Sequence, residues 1–264
     1  MAGSQRIRAV ISGDIMIIKN NRELKSHYDR LDAGDICLGT VSSKYLKKTV
    51  LLDLLERGVT CLPSALSQVL NSSKVAQAFI LKQWMLPQTE VINRRMELLD
   101  AISRYNSHGI GTVITKQDHL HCGHGVRRWE DIEVLYNHVG LSETAYPFVL
   151  QPYVESFKDI RVIIVDTYIE SYIRQNPYNF RLNISLGAKS RPYSLEPEQE
   201  QFCRSVMQRG RFPFAHLDVL VMESGEVFLS EISLNGGTKG ARIGRNELDQ
   251  KKQTLLEDLA QKRR

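Results

Sequence analysis

The chain has 264 residues, 42% of them hydrophobic and 25% charged, with a formal net charge of +5. That is apolar material enough for a packed core in one large soluble domain or two to three smaller ones. The positive balance suits anionic partners such as nucleotides, but the basic residues lie among 30 acids with no basic run interleaved with aromatics, which weighs against nucleic acid.

No stretch approaches the roughly 20 apolar residues of a membrane span, and the N-terminus lacks an apolar signal core, so no membrane partner and a cytoplasmic location are expected. Cys37, Cys61, Cys122 and Cys203 are scattered without a CxxC pair, the pattern of reduced thiols.

In chain order, IRAVIS (7–12) and DICLGTV (35–41) read as strands, and the segment 43–58 as a helix with Leu46, Val50, Leu51, Leu54 and Leu55 at helical spacing. Gly58 stands at the expected helix C-terminus, and VTCLPS (59–64) reads as the next strand. Ser73 is placed to cap a helix over KVAQAFILKQWM, with Pro87 closing that region. Two strand-like runs then flank a loop between Ile110 and Val126, WEDIEVLYNHV reads as an amphipathic helix, and PFVLQPYV returns to strand. The remainder reads as mostly antiparallel: a strand pair turning near Asp166, then a hairpin over 216–234 turning at Glu223–Glu226. The last twenty residues place Leu248, Leu255, Leu256 and Leu259 on one helical face.

The loop VITKQDHLHCGHGV (113–126) admits two chemistries. His119, His121, Cys122 and His124 are nitrogen and sulfur ligands for a metal; Lys116 and the backbone around Gly123 and Gly125 suit phosphate. Farther on, Asp218 and Glu231 sit in the two apolar strands of the hairpin, where paired carboxylates suit one hard cation such as Mg²⁺. Without a cation two such carboxylates repel, so replacing either by its amide is expected to leave stability unchanged or raise it. Arg181 and Asn183 fall on one face of an extended run, preceded by Arg174, and guanidinium groups beside a magnesium site suit phosphate oxygens.

These parts, in this order, resemble an ATP-grasp enzyme of the RimK type, a family of carboxylate–amine ligases. Lys74 in SSKVAQAFILKQWMLPQT matches the family's first lysine, and Lys116, ending a strand before CGHGV, its second. LQPYV matches the adenine hinge at Gln151, Pro152, Tyr153 and Val154; KDIRV supplies the acid and arginine after it, Asp159 and Arg161; Arg181 and Asn183 match the R-x-N element; Asp218 and Glu231 match the metal carboxylates. The chain departs from the family at E-x-N, where Glu231 is followed by Ser233 and an asparagine comes only at Asn235, so Ser233, or Asn235 after a backbone shift, is left to complete the metal set with Asp218 and Glu231.

The resemblance implies an α/β (α+β) ATP-grasp fold, with a pre-ATP-grasp Rossmann-like domain over 1–70, a small lid subdomain over 71–150, a C-terminal subdomain over 151–246 and a last helix over 247–264. It implies ATP and Mg²⁺ (or Mn²⁺), and a ligase joining a carboxylate to an amine or thiol through an acylphosphate. In that reading Gly123 and Gly125 let the loop close over phosphates, and backbone near Tyr153 reads the adenine edge. Asp159 bonds the ribose or orients Arg161, while Arg174, Arg181 and Lys239 act on the transferring group. Lys239 and Arg242, in the glycine-hinged NGGTKGARIG, receive an anionic substrate. A regulatory nucleotide binder and a kinase on the same fold stay open, as does a homo-oligomer.

Overall fold

The computed structural model describes residues 15–43, 45–120, 125–175 and 189–263. IRAVIS, Gly123 and the Arg181–Asn183 element lie outside them. The described chain opens with β1 (Ile17–Ile18), α1 (Asn21–His27), β2 (Ile36–Leu38), α2 (Lys47–Glu56) and β3 (Thr60–Leu62). The three strands pair in parallel, in the order β1-β2-β3, as helical crossovers require. Leu51 and Leu54 of α2 are buried against this sheet, but Leu46 and Leu55 are exposed, so the apolar face is narrower than the spacing suggests. Gly58 stands at φ +77, the left-handed turn that ends α2.

Next come α3 (Ala65–Leu70), α4 (Lys74–Ile80), β4 (Glu90–Ile92), α5 (Arg95–Ser107), β5 (Val113–Gln117), β6 (Val126–Trp129), α6 (Ile132–Val139) and β7 (Phe148–Pro152). Ser73 does cap α4, accepting from Ala76 N–H at 3.0 Å, but the helix stops at Ile80 and a short 3-10 turn takes Lys82–Trp84. The strands form a four-stranded sheet in the order β4-β7-β5-β6. One face of it buries Val113, Phe148 and Leu150 against Leu98, Ala101 and Tyr105 of α5 and Ile132 and Leu135 of α6. Helix α5 has no counterpart among the elements expected from the sequence, although Leu98, Ala101 and Tyr105 at i, i+3 and i+7 carry its inner face.

The third sheet is built from β8 (Phe157–Val165), β9 (Tyr168–Gln175), β10 (Lys189–Tyr193), β11 (Phe214–Met222) and β12 (Val227–Ser233), in the order β10-β9-β8-β11-β12, all antiparallel. Helix α7 (Pro197–Gly210) interrupts the expected run of strands. Its start is a capping box, Glu196 with Gln199, and Pro197 occupies the first turn. Helix α8 (Arg245–Gln261) closes the chain and buries Leu248, Lys252, Leu256 and Ala260. The long central strands make the largest core, with Ile160, Val162, Leu217, Val219 and Ile232 inaccessible to solvent.

Candidate active site

Strand alternation puts Asp159, Arg161, Arg174, Asp218 and Glu231 of the third sheet on one face, and register decides which of them meet. Asp159 lies opposite Arg174 across β8 and β9, and Arg161 lies opposite Asp218 across β8 and β11. Asp218 in turn lies opposite Glu231 across β11 and β12, the pairing expected from the hairpin. Arg174 Nε and Nη2 each donate to Asp159 at 2.8 Å, and Arg174 Nη2 is also 3.1 Å from Asp218. Arg161 forks onto both oxygens of Asp218. Asp159 is buried and turned to Arg174, so it does not orient Arg161 as expected, nor does it present a free carboxylate to a ribose.

The two carboxylates of the hairpin are likewise not an uncompensated pair. Burial raises the Asp218 carboxyl, but the guanidiniums of Arg161 and Arg174 outweigh it and hold the group at about 2. Glu231 has its own cation, Lys74 Nζ, 3.5 Å from Oε1. The repulsion expected of two isolated strand carboxylates is therefore absent, and with it the reason for expecting the Asp218 amide variant to be stable.

The face of the four-stranded sheet opposite α5 and α6 carries Ile114, Lys116, Val149, Gln151 and Arg128, brought together by the registers Lys116 with Val149, Ile114 with Gln151 and Ile114 with Arg128. Lys116 Nζ reaches Ser230 O at 3.1 Å and Ser230 Oγ at 3.3 Å. That contact depends on a break in the β11–β12 ladder: Asp218 pairs with Glu231 and Val219 with Leu229, so Ser230 is the bulged residue and its carbonyl is free for a side chain. Burial, offset only in part by Glu231, lowers Lys116 to about 8. Lys74, Gln77, Met85, Lys116, Val149, Gln151 and Ser230 line a small cavity at this seam.

Two amide side chains that the sequence reading passed over set the geometry of β12 around Ser233. Gln77, buried on α4 one turn after Lys74, accepts from Ile232 N–H at 3.0 Å and donates to Ile232 O at 2.8 Å, standing in for a strand beside β12. Asn71 Oδ1 accepts from Leu234 N–H at 2.7 Å. Both neighbours of Ser233 are thus pinned, and Asn235 lies exposed beyond them, so the backbone has no slack to carry Asn235 into the place of Ser233. We expect Gln77→Leu to cost about 2–4 kcal/mol, because it leaves a buried N–H and carbonyl unpaired. Urea unfolding measures this, and a loss under about 0.5 kcal/mol would refute the clamp.

Elsewhere the expected residues are spread around this centre. Gly125 is buried, and a Cβ there would stand 2.9 Å from Leu120 Cβ, so close packing rather than left-handed backbone calls for glycine. Gln151 donates to Thr89 Oγ1 at 2.9 Å. The Tyr153 N–H is committed to Thr112 O at 2.9 Å, so it is not free to read an adenine edge. His119 is held by Ser72 O and by Asp118 at 3.1 Å, so both ring nitrogens are occupied; His121, Cys122 and His124 lie outside the described residues, as do Arg181, Asn183 and Gly123. The loop with Lys239 and Arg242 is anchored by buried Glu170, which accepts the N–H of Arg242 at 2.6 Å and of Ile243 at 3.2 Å.

Asp218 and Glu231 are opposed carboxylates with the Ser233 hydroxyl two residues on, oxygen groups of the kind that suits a hard cation, and both carry cationic partners here. Among the described residues no group of three or more His, Cys, Asp and Glu gathers as a closed metal cage.

A family model described as the RimK-like ATP-grasp domain matches residues 69–254. No curated protein matches the chain in sequence. Among solved structures, N5-carboxyaminoimidazole ribonucleotide synthetase in its ADP complex aligns at a TM-score of 0.60 and 10% identity, over 84% of this chain and 58% of that one. D-alanine–D-alanine ligase from Bacillus anthracis, complexed with ATP, aligns at 0.59 and 15% identity, over 92% of this chain and 84% of that one. A RiPP-associated ATP-grasp ligase of Chryseobacterium gregarium, with ADP and a leader and core peptide, aligns at 0.59 and 15% identity, over 85% and 76%. At these identities the likeness is one of fold.

Proposed function

Since the chain belongs to the RimK-like ATP-grasp family, we propose that it is an ATP-dependent ligase that joins a carboxylate to an amine through an acylphosphate. The observation that carries this reading is the convergence of Lys116, from the lid sheet, and Lys74, from α4, on Ser230 and Glu231 of β12. Two ammonium groups and two carboxylates at one seam match what a polyphosphate with its cation requires. Lys74 and Lys116 neutralise phosphate oxygens. Arg161 and Arg174, held rigid by Asp218 and Asp159, present fixed positive charge to the transferring phosphoryl group; Arg181 is assigned to the same task and Asn183 to holding the nucleotide. Asp218 and Glu231 would hold Mg²⁺ or Mn²⁺, with Ser233 beside them; when bound, the cation would supply neutralisation of phosphate charge.

The terminal phosphoryl group passes from ATP to a carboxylate oxygen, leaving ADP. The amine nitrogen then bonds the acyl carbon, phosphate leaves, and the amine proton is lost. Lys239 and Arg242 lie on the loop that receives the anionic substrate. Incubation with ATP, magnesium and a pool of amino acids and short peptides tests the reading. A ligase yields ADP, free phosphate and a new amide; a kinase yields ADP and a phosphorylated product; a regulatory binder yields none. The last stays in play because Asp218 is engaged by two arginines and Ser233 is a weaker ligand than an amide.

Lys116 provides a further expectation. Its ammonium, lowered to about 8 by burial, regains a full charge beside phosphate. ATP binding therefore takes up a proton above pH 8, and affinity falls as pH rises through that value. Calorimetry at pH 8.5 in two buffers of different ionisation enthalpy measures the uptake. Lys116→Ala is expected to abolish it and to weaken ATP binding by about tenfold or more. Equal proton uptake in the variant would reassign the effect.

A further inference from the structure

Helix α2 carries a second apolar stripe. Its inner residues Leu51 and Leu54 are buried in the first sheet, whereas Leu52 and Leu55 on the outside are each 58% exposed. At about 100° per residue, Lys48, Leu52, Leu55 and Glu56 fall on one outward face, which Tyr45 extends. Isolated exposed leucines are ordinary on a protein surface. Here, however, four of the nine exposed large apolar side chains among the described residues, Tyr45, Leu46, Leu52 and Leu55, lie within positions 45–55.

The charges on this face are set against the helix that bears them. The first turn of α2 has no acid and begins with Lys47 and Lys48; the last turn has no base and ends with Glu56, and the cation that follows, Arg57 at the C-cap, is turned away to Asp53 and to the carbonyls of Tyr28 and Leu31. A helix favours the opposite arrangement, because its N-terminus is positive and its C-terminus negative. A second helix running antiparallel across the same stripe resolves the conflict. With a two-fold axis through Leu52, that leucine meets its own copy, Leu55 packs on Thr49 of the second copy, and Lys48 faces Glu56 of the second copy twice over.

From this self-complementarity we infer that the outer face of α2 is an isologous, antiparallel interface between two copies of this chain. The stripe is short, so the dimer belongs with small, weak interfaces rather than obligate ones. Helix α2 packs on its own β3 and α3, and none of Lys74, Lys116 and Glu231 belongs to these three elements. The inference does not rest on the ligase reading.

Sedimentation of the full chain from low micromolar to several hundred micromolar concentration tests it. The wild type is expected to pass from monomer to dimer across this range, and Leu52→Glu to remain monomeric. Lys48→Glu opposes acid to acid at both ends and is expected to weaken association by roughly tenfold, while the double exchange Lys48→Glu/Glu56→Lys restores it. All three positions are exposed, and circular dichroism checks that the variants fold; should Leu52→Glu misfold, the charge series decides. A monomer at every concentration, a dimer untouched by Leu52→Glu, or a double exchange no better than the single one overturns the inference.

Discussion

Arg174→Met is expected to lower stability by about 3–5 kcal/mol, because removing one partner of a buried ion pair strands the other in a poorly solvated place. Arg174 is only 6% exposed and serves two carboxylates, Asp159, itself 4% exposed, and Asp218. Without it, Asp159 loses both of its 2.8 Å hydrogen bonds and Asp218 keeps only Arg161. For a chain of this size the loss corresponds to a fall of about 10 °C in Tm. The double variant Arg174→Met/Asp159→Leu should recover much of it, since an apolar pair of similar volume costs no desolvation.

The same network bears on acid stability. The folded Asp218 carboxyl at about 2 lies below its ordinary value of 3.8, so its contribution is complete above pH 4 and is lost as pH falls toward 2. Asp218→Asn should remove that step and also destabilise the fold at neutral pH, because it leaves Arg161 and Arg174 short of a counter-charge. Chemical denaturation of these variants between pH 2 and 7 measures both effects. Wild-type stability in Arg174→Met would show that the network does not hold the sheet together.

Glu231→Gln separates catalysis from folding. Its carboxylate is 36% exposed and its ion-pair partner, Lys74, retains the Leu120 carbonyl, so the variant should fold within about 1 kcal/mol of wild type. Magnesium-dependent release of ADP should nevertheless fall by about a hundredfold or more, the scale of losing a preorganised group that stabilises developing charge. Ser233→Asn runs the other way: Ile232 and Leu234 are pinned by Gln77 and Asn71, so the strand is expected to stay in place, and if Asp218 and Glu231 hold the cation, a longer amide at 233 should make magnesium bind more tightly. Titrating ADP release against magnesium in the three proteins distinguishes the cases. Wild-type turnover in Glu231→Gln would remove this carboxylate from the metal site and the proposed mechanism with it.

The hairpin that sets Asp218 against Glu231 was legible in the sequence because two alternating runs and a turn around Gly225, at φ +89, confine the register to a few residues. Ser73 as a cap and Gly58 as a stop were legible for the same reason: their effects are spent within one turn. The sequence also carried the signals for α5 and α7, a buried i, i+3, i+7 face and a capping box, although strand-like neighbours masked them. Which charges meet was another matter. Asp159 and Arg161 differ by two positions, lie on one face of β8, and are chemically free to pair with either neighbour; the order β9-β8-β11 gives Arg174 to the first and Asp218 to the second. Gln77 gave no sign of its task, because its partner Ile232 is 155 residues away and the edge it closes exists only once β12 is the last strand of its sheet. The sequence by itself determined the order of the parts and the types of group available, since local periodicity and capping act over a few residues. Only the tertiary structure decided the pairing of those groups, since burial makes each charge depend on whichever partner the sheet order brings within hydrogen-bonding distance.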